Sequence, residues 1–206
     1  MRKSDVTRQL IIEKTAPVFN RKGYAGTSLN DLTMATGLTK GSIYGNFSGK
    51  DEVALAAFEY NLAQITTTVA QEAAAATTAT GKLLAYVESY SALFGTISAT
   101  GGCPILNTSV EADDTHPALR KKASDAIRSW KKQLERIINN GMETGELRND
   151  IIPEHTAITM IAIIEGAIMI ARVCNNNNYF STAMQQVKLM IANLEQSGTQ
   201  PIKKNK

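Results

Sequence analysis

Cysteine, histidine and aromatic residues are scarce, with two Cys, two His and 6% aromatic side chains in 206 residues. Cys103 and Cys174 stand alone, neither in a CxxC pair nor near partners at metal-ligand spacing. Their isolation argues against a disulfide framework or a zinc site and for a reducing compartment. The most apolar stretch, residues 158–173, is interrupted by Glu165 and Arg172 and falls short of the roughly 20 residues a membrane span needs. The opening segment MRKSDVTRQL lacks the apolar run of a signal peptide. These shortages lead to the expectation of a cytoplasmic protein with no metal, no cofactor and no membrane span.

Charge is informative only once it is divided along the chain. Residues 1–50 hold eight Lys and Arg against three Asp and Glu, a net +5, whereas the remaining 156 residues carry −2. A positive excess confined to one end suits a polyanionic partner there.

That end contains TSLNDLTMATGLTKGSIYGNF, residues 27–47, two short helical patterns broken at Gly37-Leu38. Ser28 is an N-cap candidate, Leu29, Leu32 and Ala35 recur at helical spacing, and Gly37 supplies the left-handed residue that ends a helix. Leu38 plugs the angle between the helices. Thr39 caps a second helix whose Ile43 and Phe47 face inward, leaving Lys40, Gly41, Ser42, Tyr44 and Asn46 outside. A cation, hydroxyls, an amide and a glycine permitting close backbone approach form a DNA-reading surface on a helix-turn-helix.

With its flanks, the pattern resembles the N-terminal domain of the TetR family of bacterial transcriptional regulators. The matching residues are Ile11, Ile12, Phe19, Gly23-Tyr24, Thr27-Ser28, Leu32, Gly37 through Tyr44, Phe47 and Lys50. The resemblance implies an all-α fold, with a three-helix DNA-binding domain over 1–50, a helical effector-binding and dimerisation domain over 51–195 and a disordered tail over 196–206. It also implies roles. Thr27, Ser28 and Thr39 offer hydroxyls and helix N-termini to phosphates, Lys40 and Ser42 meet base edges beside Gly41, and Tyr44, Asn46 and Lys50 clamp the backbone.

Past residue 50 the periodicity remains helical. A long helix from Asp51 is expected to end within the Ala-Thr-rich residues 73–80, with Gly81 as the evident break, and Pro17 is expected to bend or break the first helix near Glu13. Phe58, Tyr86, Tyr90, Phe94, Asn107, Glu111 and Trp130 are candidates for an effector pocket. Cys103, Asp113 and His116 lie within one short segment, but without an oxyanion-hole motif or a known catalytic spacing they indicate no enzyme.

The helix over 154–174 is apolar on more than one face, with small residues suited to a partner helix. By resemblance, it and the last helix pair with their copies. Ala162, Glu165, Gly166, Met169, Val187, Met190 and Ile191 are the expected dimer seam, with Glu165 read either as a polar register-fixing residue or as a ligand contact. The expected function is a homodimeric regulator, a repressor released from a near-palindromic double-stranded operator by a small-molecule effector. The alternatives from other classes are a helical interaction protein whose motif no longer binds DNA and a small helical enzyme.

Overall fold

The computed structural model describes residues 3–196, which form nine helices and no strand beyond an isolated bridge between Leu147 and Glu195. Met1 and Arg2, and the expected tail apart from Gln196, lie outside the described residues. Lys3 already belongs to the first helix.

Helix α1, Lys3–Gly26, turns Ile11, Ala16 and Phe19 into the core. Pro17 sits inside it without breaking the helix, and the only residue with non-helical φ/ψ is Gly23 (φ 71°, ψ 177°). Proline forfeits the bond to the Glu13 carbonyl, but Glu13 is exposed and water can take that bond. Gly23, by contrast, occupies a conformation that disfavours a Cβ.

Helix α2, Leu29–Thr36, opens on a capping box in which Ser28 and Asp31 satisfy one another's backbone N–H, and closes on Gly37 in the left-handed region (φ 70°). Helix α3, Lys40–Tyr44, is a five-residue helix capped by Thr39, whose hydroxyl accepts from the Ser42 N–H. Leu32, Ile43 and Phe47 are buried against α1 and the start of α4, and Leu38 packs at the rim of the same cluster.

Helix α4, Lys50–Ala75, is followed by α5, Ala79–Ala99, α6, Pro104–Ala112, and α7, Pro117–Glu143. The break after α4 comes at Ala76, and Gly81 lies inside α5, where its N–H donates to the Thr78 cap. Helix α4 thus ends inside the Ala-Thr-rich stretch, as expected, and the Thr78 cap opens the next one before Gly81. Helices α8, Pro153–Val173, and α9, Asn177–Ala192, complete the body.

Two apolar clusters form. One joins the first three helices to Phe58, Ala112, Leu119 and Ala123, and the other fills the body around Tyr90, Trp130, Leu134, Ile164 and Ile191. Helices α4, α6 and α7 supply residues to both. The boundary expected at residue 50 is therefore crossed by shared packing instead of a linker.

The terminal helices depart from expectation in which residues face out. Val187 and Ile191 are fully buried in their own chain, Met190 packs against the body core, and Glu165 is 9% exposed. Val187, Ile191 and Glu165 are thus covered by their own chain, whereas Met190 keeps part of its surface exposed. What α8 does present outward is Ile158, Ala162, Met169, Ile170 and Val173, with Gly166 half-buried among them. On α9, Tyr179 and Leu189 are the exposed large apolar residues. By length and composition alone, α8 is apolar enough to cross a membrane, but its inward side is packed into the body core.

Candidate nucleic-acid interface and interior cavity

The capped turn holds α3 by its inner residues, so its outer residues are displayed together. Thr39, Lys40 and Gly41 are exposed, while Ser42 and Tyr44 are half-buried beside them. Among the described residues no ion pair engages Lys40, whereas the carboxylates of Asp31, Asp51 and Glu52 are paired with other groups. Asp31 is bonded by Lys22 (2.5 Å) and by the Ser28 N–H (2.8 Å), which hold its carboxyl well below the usual range. Glu52 accepts from the Ser48 N–H (2.7 Å) and from Arg8 (2.7 Å), and its pKa falls to about 2. Asp51 accepts from the Tyr24 hydroxyl, which pushes that phenol up to about 12.

Three expected DNA contacts have other work in this structure. Thr27 is fully buried and its hydroxyl donates to the Gly23 carbonyl (2.6 Å), so it secures the turn and cannot meet a phosphate. The Asn46 amide donates to the Ser42 carbonyl (2.8 Å), bracing the end of α3, while Arg8 takes the Asn46 carbonyl (2.6 Å). The Lys50 ammonium lies 4.3 Å from the centre of the Tyr24 ring. It remains half-exposed, a cation held in place by an aromatic face. Gly41 is not required by packing, because a Cβ there would meet nothing closer than 4.0 Å.

Behind this domain, α6 forms a set of polar ties to α1. Asn107 donates from its amide to the carbonyls of Asn20 (3.0 Å) and Gly101 (2.9 Å), and Asn20 donates to Gly102 (2.8 Å). The Glu111 carboxylate accepts from the Tyr24 and Ala25 N–H groups just after the Gly23 break. Asn107 and Glu111 are consequently joint residues, and the cleft they do line, with Asn20, Arg21 and Arg172, shares no residue with the cavity in the body.

The body holds a cavity of about 80 Å³, lined by Leu62, Ile65, Val69, Tyr90, Ile105 and Trp130 and reaching the surface at Thr66, Ser129 and Gln133, with Tyr86 beside them. Of the expected pocket residues, Tyr86, Tyr90 and Trp130 are therefore together. Trp130 stacks on Tyr90 at 5.2 Å. Phe94 instead stacks on Phe180 (4.1 Å) in the core, and Phe58 belongs to the cluster under the first helices. The sequence reading missed Leu62, Ile65, Val69, Ile105 and Gln133; helical periodicity marked their faces without indicating which core position borders a void.

Beside Tyr90 lies a buried polar pair. The Cys103 thiol donates to Glu165 Oε1 (2.9 Å), and Glu165 Oε2 has no partner. Burial raises the Glu165 pKa to about 7 and pushes the Cys103 thiol well up. Asp113 is exposed and His116 caps α7 by accepting from the Leu119 N–H (3.2 Å), so Cys103, Asp113 and His116 form no common site.

Comparison with known proteins bears on both halves of this arrangement. Residues 11–57 match the family model for bacterial regulatory proteins of the tetR family, and residues 79–187 match that for the tetracyclin repressor-like C-terminal domain. The HTH-type transcriptional repressor DhaR of Mycobacterium sp. (strain GP1) is 28% identical over 169 residues, 82% of this chain and 84% of DhaR. A solved TetR-family regulator from Cytophaga hutchinsonii is 50% identical, with a TM-score of 0.90 over 96% of this chain and 98% of its own. A TetR regulator from Chloroflexus aurantiacus is 33% identical with a TM-score of 0.87, covering 95% and 98% of the two chains.

Proposed function

The chain belongs to the TetR family of bacterial regulatory proteins and is a DNA-binding transcriptional regulator, and from that premise we propose that it is a homodimeric repressor released from its operator by a small organic effector. The observation that carries this reading is the outward group on α3, in which Lys40 is charged, exposed and free of any ion pair among the described residues. Lys40 and Ser42 reach base edges in the major groove. Ser28, Thr39, Tyr44 and Lys50 meet phosphates, and Gly41 lets the backbone approach because nothing in the protein needs the space a Cβ would take.

A second copy is proposed to pack on the outer face of α8, where Ile158, Ala162, Gly166, Met169 and Val173 follow one another at helical spacing. An apolar stripe of this kind is costly to leave in water. Two-fold pairing would set the two α3 helices roughly 34 to 36 Å apart, one turn of B-DNA, so the operator is a near-palindrome. Such an operator-binding protein works in the cytoplasm.

The effector is proposed to enter the cavity beside Trp130 and Ile105. Helix α6 carries Ile105 at that wall and Glu111 at the α1 joint, so a ligand that displaces the first shifts the second. A coupling of roughly 1 to 3 kcal/mol is enough to lower operator affinity 5- to 150-fold. The experiment is a mobility-shift titration on DNA from the protein's own promoter region with Lys40→Ala/Tyr44→Ala beside the unmodified protein. Loss of the shifted band in the folded double variant supports the assignment, and undiminished affinity refutes it.

A further inference from the structure

The interior cavity does not stand alone. Tyr86 and Gln133 line both it and a larger cleft of about 610 Å³ between α4, α5 and α7, and the Tyr86 hydroxyl donates to Gln133 Oε1 (3.1 Å) at their common border. The two chambers differ in chemistry. The inner one is mainly apolar, with Thr66, Ser129 and Gln133 as its polar residues, whereas the outer one presents Lys82 and Arg136.

Among the described residues neither cation forms an ion pair. The one carboxylate lining the cleft, Glu146, already accepts from the Ala79 N–H (2.6 Å) at the start of α5. The field of Arg136 reaches the Tyr86 phenol, where it opposes the upward push of burial. Trp130 lines the inner chamber, and its indole N–H is buried with no acceptor, an arrangement that costs free energy until one arrives. A mostly apolar cavity with an unpartnered donor in its wall, bordered by a cleft that holds two uncompensated cations, describes a site for a molecule that is greasy at one end and negative at the other.

We propose that cavity and cleft form one amphipathic site for a small organic monoanion, its apolar tail among Leu62, Ile65, Val69 and Trp130 and its anionic head between Lys82 and Arg136. This rests on the effector reading above and names the chemical class of that effector. Size adds a constraint. A void of about 80 Å³ is smaller than the roughly 150 Å³ that holds benzene, so a tail buried in it pushes its walls apart. Ile105 on α6 is one of those walls, which ties occupancy to the joint at α1.

Trp130 is the chain's only tryptophan, so its fluorescence reports this site alone. Straight-chain alkanoates of six to ten carbons are titrated into the full-length protein, alongside the matched primary alcohols and amines. The expected result is saturable quenching or shift, with at least one alkanoate bound tenfold or more tighter than its alcohol and the amine weakest. In Lys82→Ala/Arg136→Ala the alkanoate advantage disappears while alcohol binding is unchanged, which also shows that the variant is folded. Equal affinity for acid and alcohol, an unchanged alkanoate affinity in the double variant, or no saturable response to any alkanoate overturns the proposal.

The same ligands added to the operator complex separate the two readings. Charge-selective binding that leaves the DNA bound upholds the site and refutes the effector role. Release by alcohols and acids alike upholds the effector role and refutes the anion.

Discussion

Glu111 on α6 closes the break in α1, its carboxylate accepting from the Tyr24 N–H at 2.7 Å and the Ala25 N–H at 2.8 Å. The same carboxylate fills the space over Gly23, where a Cβ would come within 2.4 Å of Glu111 Oε2. Fold and signal thus meet at one joint. Glu111→Ala is expected to lower stability by roughly 1 to 3 kcal/mol, the range for hydrogen bonds to a charged group, and to weaken the effector's hold on operator affinity. Gly23→Ala should cost at least as much, because the positive φ and the contact with Glu111 both oppose it. Urea unfolding and effector-dependent mobility shifts read the two effects; a Glu111→Ala protein that keeps full stability and full response would remove the joint from the account.

Glu165 should give the fold a dependence on pH. Its folded pKa, raised to about 7 by burial from an ordinary 4.5, means that the native state holds a proton the unfolded chain has released between those values. Stability therefore falls as pH rises through that window and levels off above it, by up to about 3 kcal/mol from the size of the shift. Glu165→Gln keeps an acceptor for the Cys103 thiol and loses the dependence. Urea melts at pH 5 and pH 8 on both proteins make the comparison, and equal pH slopes would contradict it.

The outer stripe of α8 is tested at Val173, 82% exposed in the isolated protomer. Val173→Glu should leave the fold intact, since the side chain touches little of its own chain. It should shift the sedimentation of the dimer toward the monomer and reduce operator affinity in step. A variant that sediments as an unchanged dimer would place the pairing surface elsewhere.

Local signals in the sequence were legible where the backbone itself is the cause. Ser28, Gly37 and Thr39 were read as caps because each residue type supplies what a helix end lacks, and each has that role. Thr27 misled for the same reason. A threonine beside a helix start reads as a phosphate ligand unless its burial is known, and burial is decided by α1 packing over it. Pro17 was tolerated because the bond it costs lies at an exposed turn while Ile11, Ala16 and Phe19 on the same helix are locked into the core.

The apolar residues of α9 also show the limit of periodicity. A stripe through Val187 and Ile191 announces a buried face but not whether the same chain or a second copy covers it; here the same chain does. Likewise, the pairing of Phe94 with Phe180 and of Trp130 with Tyr90 joins residues far apart in sequence. Only the folded packing showed which aromatic group borders the void.

The central claim is that the Lys40 face of α3 lies on DNA, and fluorescence anisotropy with a labelled fragment of the protein's own promoter region, run across a salt series, tests it most directly. The account predicts binding that weakens linearly in log–log form with salt, and for Lys40→Ala a weaker affinity in all salts. If Lys40 lies on a phosphate instead of a base, the slope also flattens by about one. Binding by Lys40→Ala with the affinity and salt slope of the unmodified protein, or no salt-dependent binding by either, would contradict it.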